Sequence, residues 1–203
     1  VTEDAAAPPA PRRICVYAGA SPGADARFRE TAEHLAQAIV GRGLGIVYGG
    51  GNVGLMGALA DAGLAAGGEV IGVIPQALLE KEVAHGDLTE LHVVESMHVR
   101  KALMADLSKA FIALPGGIGT LEELIEVFTW TQLGLHDKPV AVLNVAGYWD
   151  GLLSLLDDAV TQRFLRAEHR ALLIESGDPD ELLSALEAWR PPRLEKWIDR
   201  AES

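Results

Sequence analysis

Short apolar runs alternate with helix-spaced segments from one end of the chain to the other. Ile14 to Ala18 reads as a buried strand closed by Gly19-Ala20-Ser21-Pro22-Gly23, and Phe28, Leu35 and Ile39 then mark one face of a helix over Ala26 to Val40. Ile46 to Tyr48 is a second strand, followed at once by Gly49-Gly50-Gly51-Asn52-Val53-Gly54. A small-residue helix over Leu55 to Ala66 stops at Gly67-Gly68, the residue type that ends helices in a left-handed conformation. Val70 to Ile74 is a third strand ended by Pro75, and Gln76 to Glu90 is a polar loop with room for one short helix. Leu91 to Val94 is a fourth strand, after which Ser96 caps a helix over Met97 to Leu107. Ala110 to Leu114 is a fifth strand and Thr120 to Leu133 a long helix. Val140 to Leu143 is a sixth strand, followed by a helix over Gly151 to Thr161. Leu172 to Glu175 reads as an edge strand, and Asp178 caps a last helix over Pro179 to Trp189.

This alternation predicts an α/β fold, a Rossmann-like doubly wound parallel sheet of six or seven strands within one domain over residues 14–190. Val1 to Arg13, rich in alanine and proline, is expected to be a disordered tail, and residues 191–203 a C-terminal tail. The start lacks the basic-then-apolar order of a secretion signal, and no segment has the length of a membrane span. In such sheets ligands sit at the carboxyl ends of the strands, near the point where strand order reverses. Three of these handovers are glycine-rich: Gly19 to Gly23, Gly49 to Gly54, and Gly116 to Gly119.

Charge narrows the partners. Against 29 Asp+Glu the chain has 17 Lys+Arg, a formal net charge of -12 that repels nucleic acid and anionic membrane. Cys15 is the single cysteine and lies in an apolar run, which excludes a disulfide framework and fits a reducing, cytoplasmic setting. The six histidines lack H-x-x-x-H spacing, so metal catalysis is not expected; separately, no cofactor is expected.

The strongest chemical signal is Pro115-Gly116-Gly117-Ile118-Gly119-Thr120-Leu121-Glu122-Glu123, which leaves a strand and enters a helix. Its glycines let the backbone close on a ligand, and the amides of a first helical turn suit an anion. Thr120 adds a hydroxyl. The competing reading is a glycine turn with a capping box, because Thr120 and Glu123 have T-x-x-E spacing. No lysine follows the glycines, so the motif is not the P-loop of ATPases. Gly49 to Gly54 matches G-x-G-x-x-G, and Glu69 stands about where a ribose-binding acid is sought, which keeps an NAD(P)-dependent oxidoreductase open. Against that reading, the run follows the second strand, whereas the dinucleotide fingerprint follows the first.

Met97, Arg100, Lys101 and Met104 share one helix face, with Val99, Leu103 and Leu107 on a separate apolar stripe. An Arg-Lys pair is ordinarily a solvated surface. Here it lies in the first turns, where the helix dipole disfavours cations and an anion or carboxylate partner would offset the cost. In the long helix, Leu121, Leu124, Ile125, Phe128 and Gln132 project to one stripe, and Glu123, Val127, Trp130 and Leu133 to the other. A second apolar patch predicts a homodimer with Val127, Trp130 and Leu133 in its interface.

Two of these motifs together resemble the Lonely Guy (LOG) family of cytokinin riboside 5'-monophosphate phosphoribohydrolases. Pro115 to Glu123 matches the family's P-G-G-x-G-T-x-x-E, and Met97-His98-Val99-Arg100-Lys101 matches its M-x-x-R-K. Ile14-Cys15-Val16-Tyr17, Tyr48-Gly49-Gly50-Gly51, Gly54-Leu55-Met56-Gly57 and Trp130 to Pro139 support the match, which runs over Arg13 to Phe164. The resemblance implies hydrolysis of the N-glycosidic bond of a nucleoside 5'-monophosphate, AMP included, to free base and ribose 5-phosphate. It implies Arg100 and Glu123 as the catalytic pair. It implies a nucleotide site of Gly116, Gly117, Ile118, Gly119, Thr120, Leu121 and Glu122, with Lys101, Glu82 and Thr129 at further substrate-contacting positions. Met97 and the glycine-rich handovers at Gly19, Ser21, Gly50 and Gly51 complete the candidate contacts.

Two departures stand out: Ala18-Gly19-Ala20-Ser21 where many members have a G-S-S form, and Ile118 where many plant members have tyrosine. Relatives have also carried the name lysine decarboxylase, but the chain has no lysine signature of a pyridoxal-phosphate enzyme. A second class of function is a nucleotide-binding or cofactor-carrying protein of the same fold without turnover. The pairing of Arg100 with Glu123 favours the hydrolase.

Overall fold

Strands whose residues are apolar at nearly every position must be covered on both faces, and this chain has five of them. In the computed structural model, which describes residues 12–79 and 84–191, the chain runs β1 (Arg13–Tyr17), α1 (Ala26–Gly41), β2 (Gly45–Tyr48), α2 (Gly54–Ala65), β3 (Val70–Pro75), α3 (Gln76–Leu79) and β4 (Glu90–Val94). It continues through α4 (Met97–Asp106), β5 (Ala110–Ala113), α5 (Ile118–Gln132), β6 (Val140–Leu143), a 3-10 turn (Val145–Gly147), α6 (Asp150–Thr161), α7 (Ala167–Arg170), β7 (Leu173–Ser176) and α8 (Pro179–Ala188). The strands form one parallel sheet in the order β4-β3-β2-β1-β5-β6-β7. β1, β2, β3, β5 and β6 are buried, while β4 and β7, which carry Glu90, His92 and Glu175, are the half-exposed edges. Both proposed tails lie largely outside the described residues, as does Glu82; Arg13 belongs to β1 rather than to a tail.

Side chains alternate across each strand, so one sheet builds two cores. Ile14 and Val16 face Leu35 and Ile39 of α1, Leu59 of α2, and Leu182 and Leu183 of α8. Cys15 and Tyr17 face Met104 of α4, Leu124, Val127 and Phe128 of α5, and Trp149 and Leu153 beside and within α6. Burial pushes the Cys15 thiol well up, so it is a reduced core residue and not a thiolate nucleophile. Helix starts follow local chemistry: Asp25 accepts from the Arg27 amide, Ser96 from Val99, and Asp178 from Asp180 and Glu181.

Two expectations about α5 are corrected. Its cap is Gly117, in extended backbone and without a side-chain bond, so Thr120 is the third helical residue and no T-x-x-E capping box forms. Val127 is 1% exposed within its own chain, which removes it from any subunit interface. The inward stripe is Thr120, Glu123, Leu124, Val127, Phe128 and Thr131; the exposed stripe is Ile118, Glu122, Ile125, Thr129 and Leu133, with Trp130 half-buried beside the core. Among the described residues no helix is long and apolar enough to cross a membrane.

Candidate active site

Strand order reverses between β1 and β5, so their carboxyl ends open the crevice where this architecture binds ligands. The turns leaving these two strands are tied together: the Gly19 amide donates to the Pro115 carbonyl at 3.1 Å, and Leu114 to Tyr17 at 2.9 Å. From there the chain enters α5 through Gly117, Ile118 and Gly119, all exposed, with Ile118 at 81%. The glycines of this turn serve different ends. A Cβ on Gly116 would strike Thr120 Oγ1 at 2.2 Å and the Gly19 nitrogen at 2.9 Å, so Gly116 is required by packing. A Cβ on Gly117 or Gly119 would meet nothing within 4 Å. Packing does not demand glycine there, and the backbone at both positions is open to approach from outside the chain.

The other glycine-rich run leads into a helix whose early amides are already engaged. At the start of α2 the amides of Leu55 and Met56 donate to the carbonyl of Gly19, at 3.0 and 3.4 Å. The first turn of that helix is thus closed by the chain itself. Glu69 lies just before β3, at the amino-end edge of the sheet, where Arg13 grips it with two hydrogen bonds of 2.7 and 2.8 Å. It stands at the opposite edge from the crevice. The dinucleotide reading therefore loses both its phosphate turn and its ribose acid.

What Gly49 does instead is make room for Arg100. A Cβ there would lie 2.2 Å from the Arg100 guanidinium. That side chain reaches from α4 across the ends of β3 and β2. Its Nε donates to the Val73 carbonyl at 3.0 Å and its Nη2 to the Gly49 carbonyl at 3.4 Å, while Nη1 stands 3.5 Å from Glu123 Oε1. Arg100 is 7% exposed and Glu123 8%, so the pair is shielded from water. The basic face of α4 thus points inward, and carboxylates of α5 supply the partner that its dipole-disfavoured position demands. Lys101 bonds Glu122 at 2.5 Å and stands 3.0 Å from Glu126. Its burial alone would lower its pKa, but the two carboxylates together hold it above its ordinary value. Lys101 is a strut between α4 and α5 as much as a candidate substrate contact.

The comparisons with known proteins bear on this arrangement. The family described as "Possible lysine decarboxylase" matches residues 56–186. A probable cytokinin riboside 5'-monophosphate phosphoribohydrolase of Oryza sativa subsp. japonica is 49% identical over 181 residues, 89% of this chain and 74% of that protein. A cytokinin riboside 5'-monophosphate phosphoribohydrolase of Arabidopsis thaliana is 47% identical over 180 residues, 89% of this chain and 79% of that protein. The chain belongs to the LOG family. Among solved structures, a molybdenum cofactor binding protein from Rippkaea orientalis superposes with a TM-score of 0.65 at 23% identity, over 87% of this chain and 96% of that one. The molybdenum cofactor carrier protein of Chlamydomonas reinhardtii does so at 0.63 and 19%, over the same shares. At that identity the likeness shows the fold alone.

In this LOG chain the structure gathers Arg100, Lys101, Glu122 and Glu123 where α4 meets α5, with Met97 beside them, its sulfur 3.8 Å from Arg100 Nη1. Gly50 and Gly51 follow Gly49 in the turn that lies against Arg100, and Gly19 joins the Pro115 turn. Ser21 is exposed, its hydroxyl 3.4 Å from the Gly23 amide. Thr129 is not brought to the cluster: it lies on the exposed stripe of α5, its hydroxyl donating to Ile125 of its own helix. One residue of this LOG site was missed from the sequence. The Tyr148 hydroxyl donates to the carbonyl of Gly116, at the entry to α5.

Proposed function

We propose that the protein hydrolyses the N-glycosidic bond of cytokinin riboside 5'-monophosphates, and of AMP, to free base and ribose 5-phosphate. The observation that carries this is a shielded Arg100–Glu123 pair five residues into a helix whose first two residues are open to solvent. Five residues span about 7.5 Å along the helix, the scale of a ribose 5-phosphate. The phosphate is taken by the amides leading into α5, which fixes the sugar beside Glu123. As the C1'–N bond breaks, positive charge grows at C1' and the carboxylate of Glu123 stabilises it or activates the attacking water. The water oxygen bonds to C1', one water proton passes to the carboxylate, and the base departs with the bond's electron pair and takes up one proton at nitrogen. Arg100 orients Glu123, its own charge being fixed.

Incubation with AMP and with isopentenyladenosine 5'-monophosphate, followed by chromatography of free base, tests the reading. Free base and ribose 5-phosphate are expected in equal amounts. A folded protein that releases no base from any purine monophosphate would move the assignment to a nucleotide-binding protein of the same fold.

Gly119→Ala separates binding from folding. The new methyl enters the open approach to the phosphate, so KM is expected to rise about tenfold to a hundredfold, the loss of one hydrogen bond to a charged group. Tm should hold or rise, since alanine is favoured over glycine in a helix by about 0.5–1 kcal/mol. A drop in Tm with unchanged KM would reverse the assignment.

The chain acts as a homodimer in this proposal, through the apolar part of the exposed α5 stripe rather than through Val127. Ile118, Ile125 and Leu133 are exposed along one side of that helix and support such a contact. Sedimentation at micromolar concentration is expected to give a dimer, and Ile125→Asp a monomer; a wild-type monomer removes the interface. A cytoplasmic setting is proposed as well, supported by a single cysteine that is free and buried.

A further inference from the structure

The loop from β6 to α6 holds backbone conformations that a chain does not adopt without cause. Ala146 sits at φ 54° and Gly147 at φ 74°, and an alanine in the left-handed region persists only where its surroundings hold it. Asn144 holds them. Its Oδ1 accepts from the Trp149 amide at 2.8 Å, its Nδ2 donates to Asp150 Oδ1 at 2.7 Å, and its own amide donates to Ser176 at 2.8 Å. Trp149, 2% exposed, anchors the far side of the loop in the core.

The residue that emerges from this braced turn is Tyr148. Its ring stands edge-on to Phe28 of α1, with centroids 5.9 Å apart, and to Trp149, at 5.0 Å. These contacts leave Tyr148 43% exposed and aim the hydroxyl at the Gly116 carbonyl. That carbonyl shares a planar trans peptide with the Gly117 amide, so holding one fixes the direction of the other. The preceding carbonyl, Pro115, is held by the Gly19 amide. Both peptide oxygens at the entry to α5 are thereby engaged, and the Gly117 N–H is turned away from Tyr148.

We propose that Tyr148 is a positioning residue for the substrate's 5'-phosphate, its hydroxyl fixing the Gly116–Gly117 peptide so that the Gly117 amide faces the ligand. The proposal rests on the hydrolase reading above and adds a residue outside both motifs that carried it. Tyr148 acts on recognition of the phosphate and not on the bond that breaks. Its strained loop is the means of placing one phenol on one carbonyl.

Tyr148→Phe keeps the ring against Phe28 and Trp149 and removes only the hydroxyl. KM for AMP is expected to rise about tenfold, one hydrogen bond's worth, with kcat within about twofold of wild type. Calorimetric titration should show AMP and inorganic phosphate weakened by a similar factor, and adenosine, which lacks the phosphate, bound as before. Unchanged AMP affinity overturns the proposal. So does an equal loss for AMP and adenosine, which would mark Tyr148 as packing only. If neither protein releases base, the hydrolase reading fails separately, and the titrations still decide the role of Tyr148.

Discussion

Glu123→Gln is expected to fold as the wild type does and to lose about 10²- to 10⁴-fold in kcat, the range that a positioned base contributes. The substitution keeps the size of a side chain that is 8% exposed, so it opens no cavity. It removes the negative charge that faces the developing cation at C1'. It does not strip Arg100 of every acceptor, because the Val73 and Gly49 carbonyls remain. Phosphate recognition, at the other end of the first helical turns, is untouched, so KM should stay close to wild type. A fall in kcat and kcat/KM by the same factor is the signature of an interaction made in the transition state alone. Single-turnover release of base measures it, with far-UV circular dichroism reporting the fold. Activity within tenfold of wild type would take the chemistry away from Glu123.

The fold was legible because buried parallel strands advertise themselves as apolar runs, and a glycine or proline follows β1, β2 and β5 within two residues. The short α7 and the exact entry to α5 were not, since both depend on hydrogen bonds that composition does not encode. The outward face of α5 misled for a definite reason. Its core stripe contains Thr120, Glu123 and Thr131, polar residues that are buried because Arg100 partners Glu123 and the Thr131 hydroxyl bonds the Val127 carbonyl. Its exposed stripe contains Ile118, Ile125 and Leu133. Periodicity assigns faces by polarity, and here an ion pair and a hydrogen bond within the helix let polar residues lie inside. The Gly49 to Gly54 run misled likewise: its first glycine answers to an arginine 51 positions later, a demand invisible to a local pattern. Arg100 and Glu123 were found as motif residues, but that they are one buried ion pair is a fact of packing. Tyr148 carried a local signal that went unused, since Asn144 and Asp150 bracket a glycine turn in the manner of side chains that cap loops.

Arg100→Ala is expected to do more damage than Glu123→Gln, and of a different kind. Arg100 is 7% exposed and is held by the Val73 carbonyl, the Gly49 carbonyl and Glu123, with the Met97 sulfur also beside it. Truncation leaves both carbonyls without this donor and removes one cation from a buried carboxylate, and breaking a buried pair from one side costs about 3–5 kcal/mol. Against a total stability of about 5–15 kcal/mol that is a large fraction. At about 2–4 °C per kcal/mol for a chain of this size, Tm should fall by roughly 6–20 °C. Activity should fall with it, because the carboxylate then loses the guanidinium that orients it. Arg100→Lys discriminates the causes. An ammonium restores a charge near Glu123 but, as a single point, does not serve two carbonyls and a carboxylate in the fixed directions of a guanidinium. The expected order in Tm is wild type, then Lys, then Ala, while kcat is low in both variants, since orientation is lost in each. Calorimetric melting and base-release kinetics on the same preparations read the two quantities apart. An Arg100→Ala protein that melts with the wild type would mean that the buried pair stabilises nothing, and one that also turns over normally would remove Arg100 from the site.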